Sequence, residues 1–228
     1  LPMIRELPGA NYAITTNGAV IADLKTNKAI RTCGLSNEMV QRILNIAKKY
    51  HSATDPFIDG RAITQPSSID HMDEFGLSPQ MQKLIRDTRE VVPDVMEYVK
   101  TTGAQAEKIN IFMADLEERE ILRKELMAMP ELSISSSMYN NLEVNAKGAD
   151  KGSALLWLAD HLGISREETM AFGDGENDIP MIKAAGIGAA MENALDTVKE
   201  AADTITLNND EDGVAAAIRK FIFGSSEE

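Results

Sequence analysis

Met170-Ala171-Phe172-Gly173-Asp174-Gly175-Glu176-Asn177-Asp178-Ile179-Pro180-Met181-Ile182 is the stretch that decides how the chain is read. Its first three residues are apolar and short in span, the pattern of a buried parallel strand. Gly173 and Gly175 bracket Asp174 in a turn. Asn177 or Asp178 can then cap a helix, and Pro180 fits the first helical turn, where its missing N–H costs nothing. A strand that runs through a tight turn into a helix is where open α/β sheets place their ligands. The turn holds Asp174, Glu176 and Asp178 and no basic residue. Three carboxylates this close repel one another unless a cation or hydrogen bonds offset them. Hard oxygen ligands without Cys or His suit Mg²⁺. A solvated acidic turn with an ordinary helix cap explains the same residues equally well, since acidic side chains favour helix starts.

Working outward, 228 residues allow one large domain or two small ones, and 43% hydrophobic residues suffice for a core. The net charge of −13 argues against nucleic acid and anionic membranes as partners. An anionic substrate would need local positive charge or a metal. One cysteine, Cys33, rules out an internal disulfide and points to a reducing cytoplasm. His51, His71 and His161 are far apart, with no metal-ligand spacing. No apolar run approaches a membrane span. Residues 1–7 lack the pattern of a signal peptide, and position 1 is Leu, so the chain is expected to begin downstream of a gene start.

Residues 12–16 read as a strand ended by Asn17-Gly18, and 19–33 as a hairpin. Ser36 opens a helix to about residue 50, with Met39, Val40, Ile43, Ala47 and Tyr50 on one face. Residues 55–64 read as strand and turn around Asp59-Gly60. Ser78-Pro79 starts a helix with Met81, Leu84 and Ile85 inward. Alternation over 108–113 predicts a half-buried strand with Ile109, Ile111 and Met113 on one side. A charged helix over 116–129, with Leu116, Ile121, Leu122, Leu126 and Met129 as apolar positions, stops at Pro130. Residues 132–136 and 142–144 are short strands.

The pattern then changes to helices alternating with strands, which means a parallel sheet. A helix over 151–162 turns Ala154, Leu155, Leu158 and Leu162 inward and ends at Gly163. Ser165 to Glu168 fits a capping box. Strands follow over 170–172, 186–191 and 203–207, with helices to about 185, over 194–201 and from 213 to 223; 224–228 reads as a frayed tail. The expected organisation is a Rossmann-like core from 1–35 and 142–228, with an α+β domain inserted over 36–141. Two connections between two domains make a hinge and cleft plausible.

Lys151 stands at a helix start, where N–H groups and an ammonium together suit phosphate, although a surface lysine reads the same way in isolation. Lys151-Gly152, Gly173 to Asp178, Gly188-Ala189-Ala190-Met191-Glu192-Asn193-Ala194, Ala202-Asp203 and Glu211-Asp212-Gly213-Val214-Ala215 follow one another at set distances. This run resembles the C-terminal half of haloacid dehalogenase-like phosphatases, in particular the Cof-type sugar-phosphatase branch. Residues 14–19, Ile-Thr-Thr-Asn-Gly-Ala, resemble the segment just before that branch's cap.

The resemblance implies a Rossmann-like core with an inserted cap and a Mg²⁺-dependent phosphatase acting on a small phosphate ester through an aspartyl-phosphate. It implies that Asp174 is a Mg²⁺ ligand and that Lys151 binds the transferring phosphoryl group. Asn177 and Asn17 would contact substrate, and Asp178 would orient the lysine or support the metal. Phosphoryl transfer is mostly positioning and charge neutralisation, which agrees with these residue types. The family's D-x-D-G-T/S nucleophile motif does not occur in the 228 residues, nor does its Thr/Ser-Gly-Arg segment. A strand–helix–strand unit carrying them is expected to be missing, leaving a gap in the sheet beside the strand ending at Phe172 and the 228-residue chain inactive. A non-catalytic phosphate-binding protein and a phosphomutase stay open as alternatives.

Overall fold

The computed structural model describes residues 7–224; the readings of 1–6 and of the tail at 225–228 fall outside them. The chain divides into two compact units, Leu1–Ala149 and Asp150–Glu228. Each is mixed α/β, and the second is built on parallel strands.

The first unit opens with β1 (Tyr12–Thr15), β2 (Val20–Asp23) and β3 (Lys28–Thr32), a small antiparallel sheet. Between β1 and β2, Asn17 takes the left-handed conformation at φ 59°, which Asn tolerates better than most residues. The rest of the unit runs α1 (Asn37–Ala47), β4 (Ala53–Ile58), β5 (Arg61–Thr64), α2 (Pro66–Asp70), α3 (Pro79–Thr88), β6 (Arg89–Val91), α4 (Val95–Thr102), β7 (Lys108–Phe112), α5 (Leu116–Met127), β8 (Leu132–Ser135) and β9 (Asn141–Ala146). Its six strands form one sheet in the order β6-β5-β4-β7-β9-β8.

Periodicity places the helices on this sheet. Ser36 caps α1 by accepting from the Met39 N–H. Val40, Ile43 and Ala47 then face the sheet, with Val99 of α4 and Leu122 and Leu126 of α5. They meet Ile109 and Ile111 of β7 and Leu142 and Val144 of β9, all fully buried.

Three expectations need correction, and helix α4 had none. The chain does not leave this unit at residue 142: β9 is hydrogen-bonded between β7 and β8, and its Leu142 and Val144 complete the same core. The expected boundary thus moves to the far side of β9. Strand β7 is buried on both faces, since Lys108 and Asn110 find cover as well as Ile109 and Ile111. Leu84, Leu116, Ile121 and Leu162 point to solvent, where single apolar residues are normal. Helix α4 was not expected; Asp94 caps it through the Glu97 N–H, and Gly103 ends it at φ 67°.

The second unit contains α6 (Lys151–Leu162), β10 (Met170–Gly173), α7 (Ile179–Ala184), β11 (Ile187–Ala190), α8 (Asp196–Ala201), β12 (Thr204–Ile205) and α9 (Gly213–Ile222). Its sheet is β10-β11-β12, parallel throughout, with Ala171 opposite Gly188 and Ala189 opposite Thr204. Ile182, Ala190, Met191, Ala194 and Val198 form its core. Among the described residues β10 is an edge strand. Among the same residues no helix is long and apolar enough to cross a membrane.

Candidate active site

The acidic turn lies at the carboxyl end of β10. The strand delivers Gly173, then Asp174 and Gly175, and a single 3₁₀ turn over Glu176–Asp178 leads into α7. Gly173 is required by contact: a Cβ there would fall 2.2 Å from the Cβ of Asp178. This close approach folds Asp178 back over the turn. Its Oδ2 accepts the N–H groups of Asp174 at 3.0 Å and Gly175 at 3.1 Å.

A second glycine brings the lysine in. A Cβ on Gly152 would lie 2.3 Å from the Pro180 carbonyl oxygen, so only glycine lets α6 start this close to α7. Asp150 caps α6 through the Ser153 N–H, which fixes where Lys151 emerges. Lys151 Nζ then donates to Asp178 Oδ1 at 2.5 Å. Asp178 is 5% exposed, and the lysine side chain keeps 26% of its surface.

Asp178 therefore occupies the N-cap position of α7 without capping it, because its oxygens are committed to Lys151 and to the two turn N–H groups. The repulsion expected among three carboxylates is offset in part by the chain's own lysine and by backbone dipoles. Asp174 stands exposed, with its Oδ2 accepting from Asn193 Nδ2 at 3.3 Å. Asn193 accepts in turn from the Asn209 N–H at 3.1 Å. Its part in holding Asp174 was not foreseen, although Glu192-Asn193-Ala194 belongs to the run quoted above. Asn177 lies half-buried over the turn, its Oδ1 3.1 Å from where a Gly175 Cβ would be.

The fifth candidate is placed in the first unit. Asn17 Nδ2 donates to Glu143 Oε2 at 2.8 Å and to Asn145 Oδ1 at 3.2 Å. So Lys151, Asp174, Asn177 and Asp178 are brought together on one turn, and Asn17 belongs to a different polar network.

Hard oxygen donors at this turn fit Mg²⁺ by type, and the Asp174 carboxylate is exposed to solvent. Among the described residues no group of three or more His, Cys, Asp or Glu side chains is gathered to hold a metal. Mg²⁺ sites in general combine one or two carboxylates with water and substrate phosphate.

A model of the haloacid dehalogenase-like hydrolase family matches residues 1–218. The chain belongs to this family. Among its relatives is the 5-amino-6-(5-phospho-D-ribitylamino)uracil phosphatase YcsE of Bacillus subtilis, 49% identical over 114 residues, covering 49% of this chain and 46% of that protein. The haloacid dehalogenase-like fold is also seen in structure. A haloacid dehalogenase-like hydrolase from Bacillus subtilis matches with a TM-score of 0.81 at 27% identity, over 92% of this chain and 79% of that one. A HAD subclass IIB sugar phosphatase matches with a TM-score of 0.74 at 26% identity, over 92% and 75%. The chain spans less than half the length of the relatives it matches by sequence.

Proposed function

We propose that this haloacid dehalogenase-like chain is the greater part of a Mg²⁺-dependent phosphatase that hydrolyses a small phosphorylated metabolite, a sugar phosphate, in the cytoplasm. Hydrolysis runs through an aspartyl-phosphate whose nucleophile lies outside the 228 residues. Residues 36–141, continued through β9, serve as the cap. The observation that carries this reading is the Lys151–Asp178 pair, locked by two backbone N–H groups beside an exposed Asp174.

Lys151 has three N–H donors, and Asp178 takes one of them. The others hold and neutralise the transferring phosphoryl group. Asp178 aims the lysine and keeps it from swinging to solvent. Asn177 donates to a phosphate oxygen from the same turn. Asp174, which accepts from Asn193, would hold the Mg²⁺. When bound, Mg²⁺ supplies Lewis-acid charge stabilisation at phosphate oxygens and a template for substrate. Support comes from YcsE, named as a phosphatase, and from the subclass IIB sugar phosphatase with the same fold.

The test is release of inorganic phosphate by the full-length gene product from a panel of small sugar, polyol and aryl phosphates. Turnover of at least one sugar or polyol phosphate with Mg²⁺ is expected, and its loss on adding a chelator. Tight binding of these esters without phosphate release would overturn the reading in favour of a non-catalytic protein.

A further inference from the structure

Within the first unit a small cavity opens between α1 and α4, beside the first residues of β4 and the end of β5. The sequence makes room for it. The register of β4 with β5 covers Phe57 opposite Ala62 and Ile58 opposite Arg61. The Phe57 carbonyl accepts from the Glu107 N–H at 2.7 Å, so the Phe57 backbone turns to the β7 side. Pro56, one residue earlier, therefore turns to the β5 side, where it has no N–H to give. The ladder ends there, and Thr54 and Gln65 lie beyond its last pair.

The walls are tied in place. Gln65 Oε1 accepts from the Val95 N–H at 3.2 Å, which holds the start of α4 to the end of β5. Ser52 Oγ donates to the Ala47 carbonyl at 3.0 Å, at the end of α1. The cavity between them has a volume of about 130 Å³, well above the ~10–15 Å³ that one water needs. Leu44 and Val95, both members of the core, give it an apolar side.

Its polar groups are not used up by the fold. Lys48 follows α1, and Asp94 caps α4 by spending Oδ1 on the Glu97 N–H at 2.7 Å, which leaves Oδ2 uncommitted. Among the described residues Lys48 and Asp94 do not pair with each other, and neither Lys48 Nζ nor Thr54 Oγ1 has a hydrogen-bond partner. A lysine and an aspartate on open surface are merely solvated. Here they line one cavity together with a hydroxyl and an apolar wall.

The charge count narrows the ligand. One ammonium and one carboxylate make the lining neutral. An inorganic anion would meet Lys48 but also Asp94, and a simple amine would meet the reverse. A molecule that carries both charges satisfies both groups. An apolar body on the same molecule suits Leu44 and Val95.

We infer that this cavity binds a small zwitterion with an apolar body, the chemistry of a free aliphatic α-amino acid. Its carboxylate meets Lys48 and Thr54, its ammonium meets Asp94, and its side chain lies against Leu44 and Val95. The site is contained in the first unit and does not rest on the phosphatase reading.

The experiment is titration calorimetry of the full-length protein with L-valine, with isovalerate, which lacks the ammonium, and with isobutylamine, which lacks the carboxylate. L-valine is expected to bind saturably, about 10-fold or more tighter than either partial ligand, the worth of one charge-assisted hydrogen bond. Lys48→Met keeps most of the side chain and removes its charge. Asp94→Asn removes the other charge and keeps a side chain that caps a helix as well as Asp does. Each should weaken L-valine by about 10-fold or more. L-valine should also raise the Tm of the wild type and lose that effect in both variants, whose melting curves without ligand show that they are folded. No saturable binding of L-valine, isovalerate or isobutylamine binding as tightly as L-valine, or unchanged L-valine affinity in either folded variant overturns the inference.

Discussion

Expressed as residues 1–228 alone, the chain is expected to release phosphate from an aryl phosphate no faster than buffer with Mg²⁺. Every Asp-Gly pair is committed elsewhere. Asp59 and Gly60 make the β4–β5 turn, with φ of 50° and 74°. Asp174 and Gly175 sit in the acidic turn. Asp212 is left-handed at φ 53°, and a Cβ on Gly213 would lie 2.0 Å from the Leu207 carbonyl, so this pair is a packing device. Losing a nucleophile costs on the order of 10⁶-fold in turnover. The uncatalysed hydrolysis of phosphate monoesters is among the slowest reactions, so positioning alone cannot compensate. The second unit also exposes Ile222 and Phe223 on and beyond α9, Leu195 before α8, and the open side of β10. Such surfaces favour association, so the isolated chain should self-associate. A soluble monomer with robust, Asp174-dependent turnover would show that the nucleophile has been misplaced.

On the proposed function, Lys151→Met in the full-length protein should cut turnover by about 10²-fold or more, since its charge would offset the negative charge spread over the phosphoryl oxygens in the transition state. Lys147, in the loop after β9, is the comparison: Lys147→Met should leave turnover within about threefold, the range of an ordinary surface change of up to ~0.5 kcal/mol. Removing Lys151 also leaves Asp178 without its cation, so part of the loss should appear in stability. Steady-state kinetics with a melting curve separates the two, because kcat should fall far more than Tm explains. Equal kinetic effects at both lysines would mean general electrostatic attraction with no defined role for Lys151.

The second unit was legible because its signals are local. The strand, turn and helix around Asp174 are set by adjacent glycines and Pro180, and Gly163 ends α6 at φ 68°, as its place in the sequence implies. The first unit depends on pairing between distant segments. Nothing within residues 141–146 says that their neighbours are β7 and β8, so the domain boundary was misplaced. Alternation over 108–113 gave the two faces of β7 correctly. That the polar face is also buried follows from Asp55, Arg89 and Glu143, which lie far off in sequence. Helix α4 had a readable signal, Asp94 three residues before Glu97, but Pro93 beside it reads as a loop. Asp178 looked like a cap because spacing shows position; the resemblance alone offered the lysine as a partner, and the fold pairs the two.

Phosphate release by the full-length protein as Mg²⁺ is titrated, for the wild type and Asp174→Ala, is the most direct measurement of whether this acidic turn is a phosphatase metal site. The wild type should rise from a chelator-treated baseline to saturation. Asp174→Ala, with its circular dichroism unchanged, should stay lower by about 10²-fold or more, the equivalent of several kcal/mol of metal-borne charge stabilisation. Wild-type turnover by Asp174→Ala at the same Mg²⁺ concentration, or undiminished wild-type turnover under chelator, would contradict it.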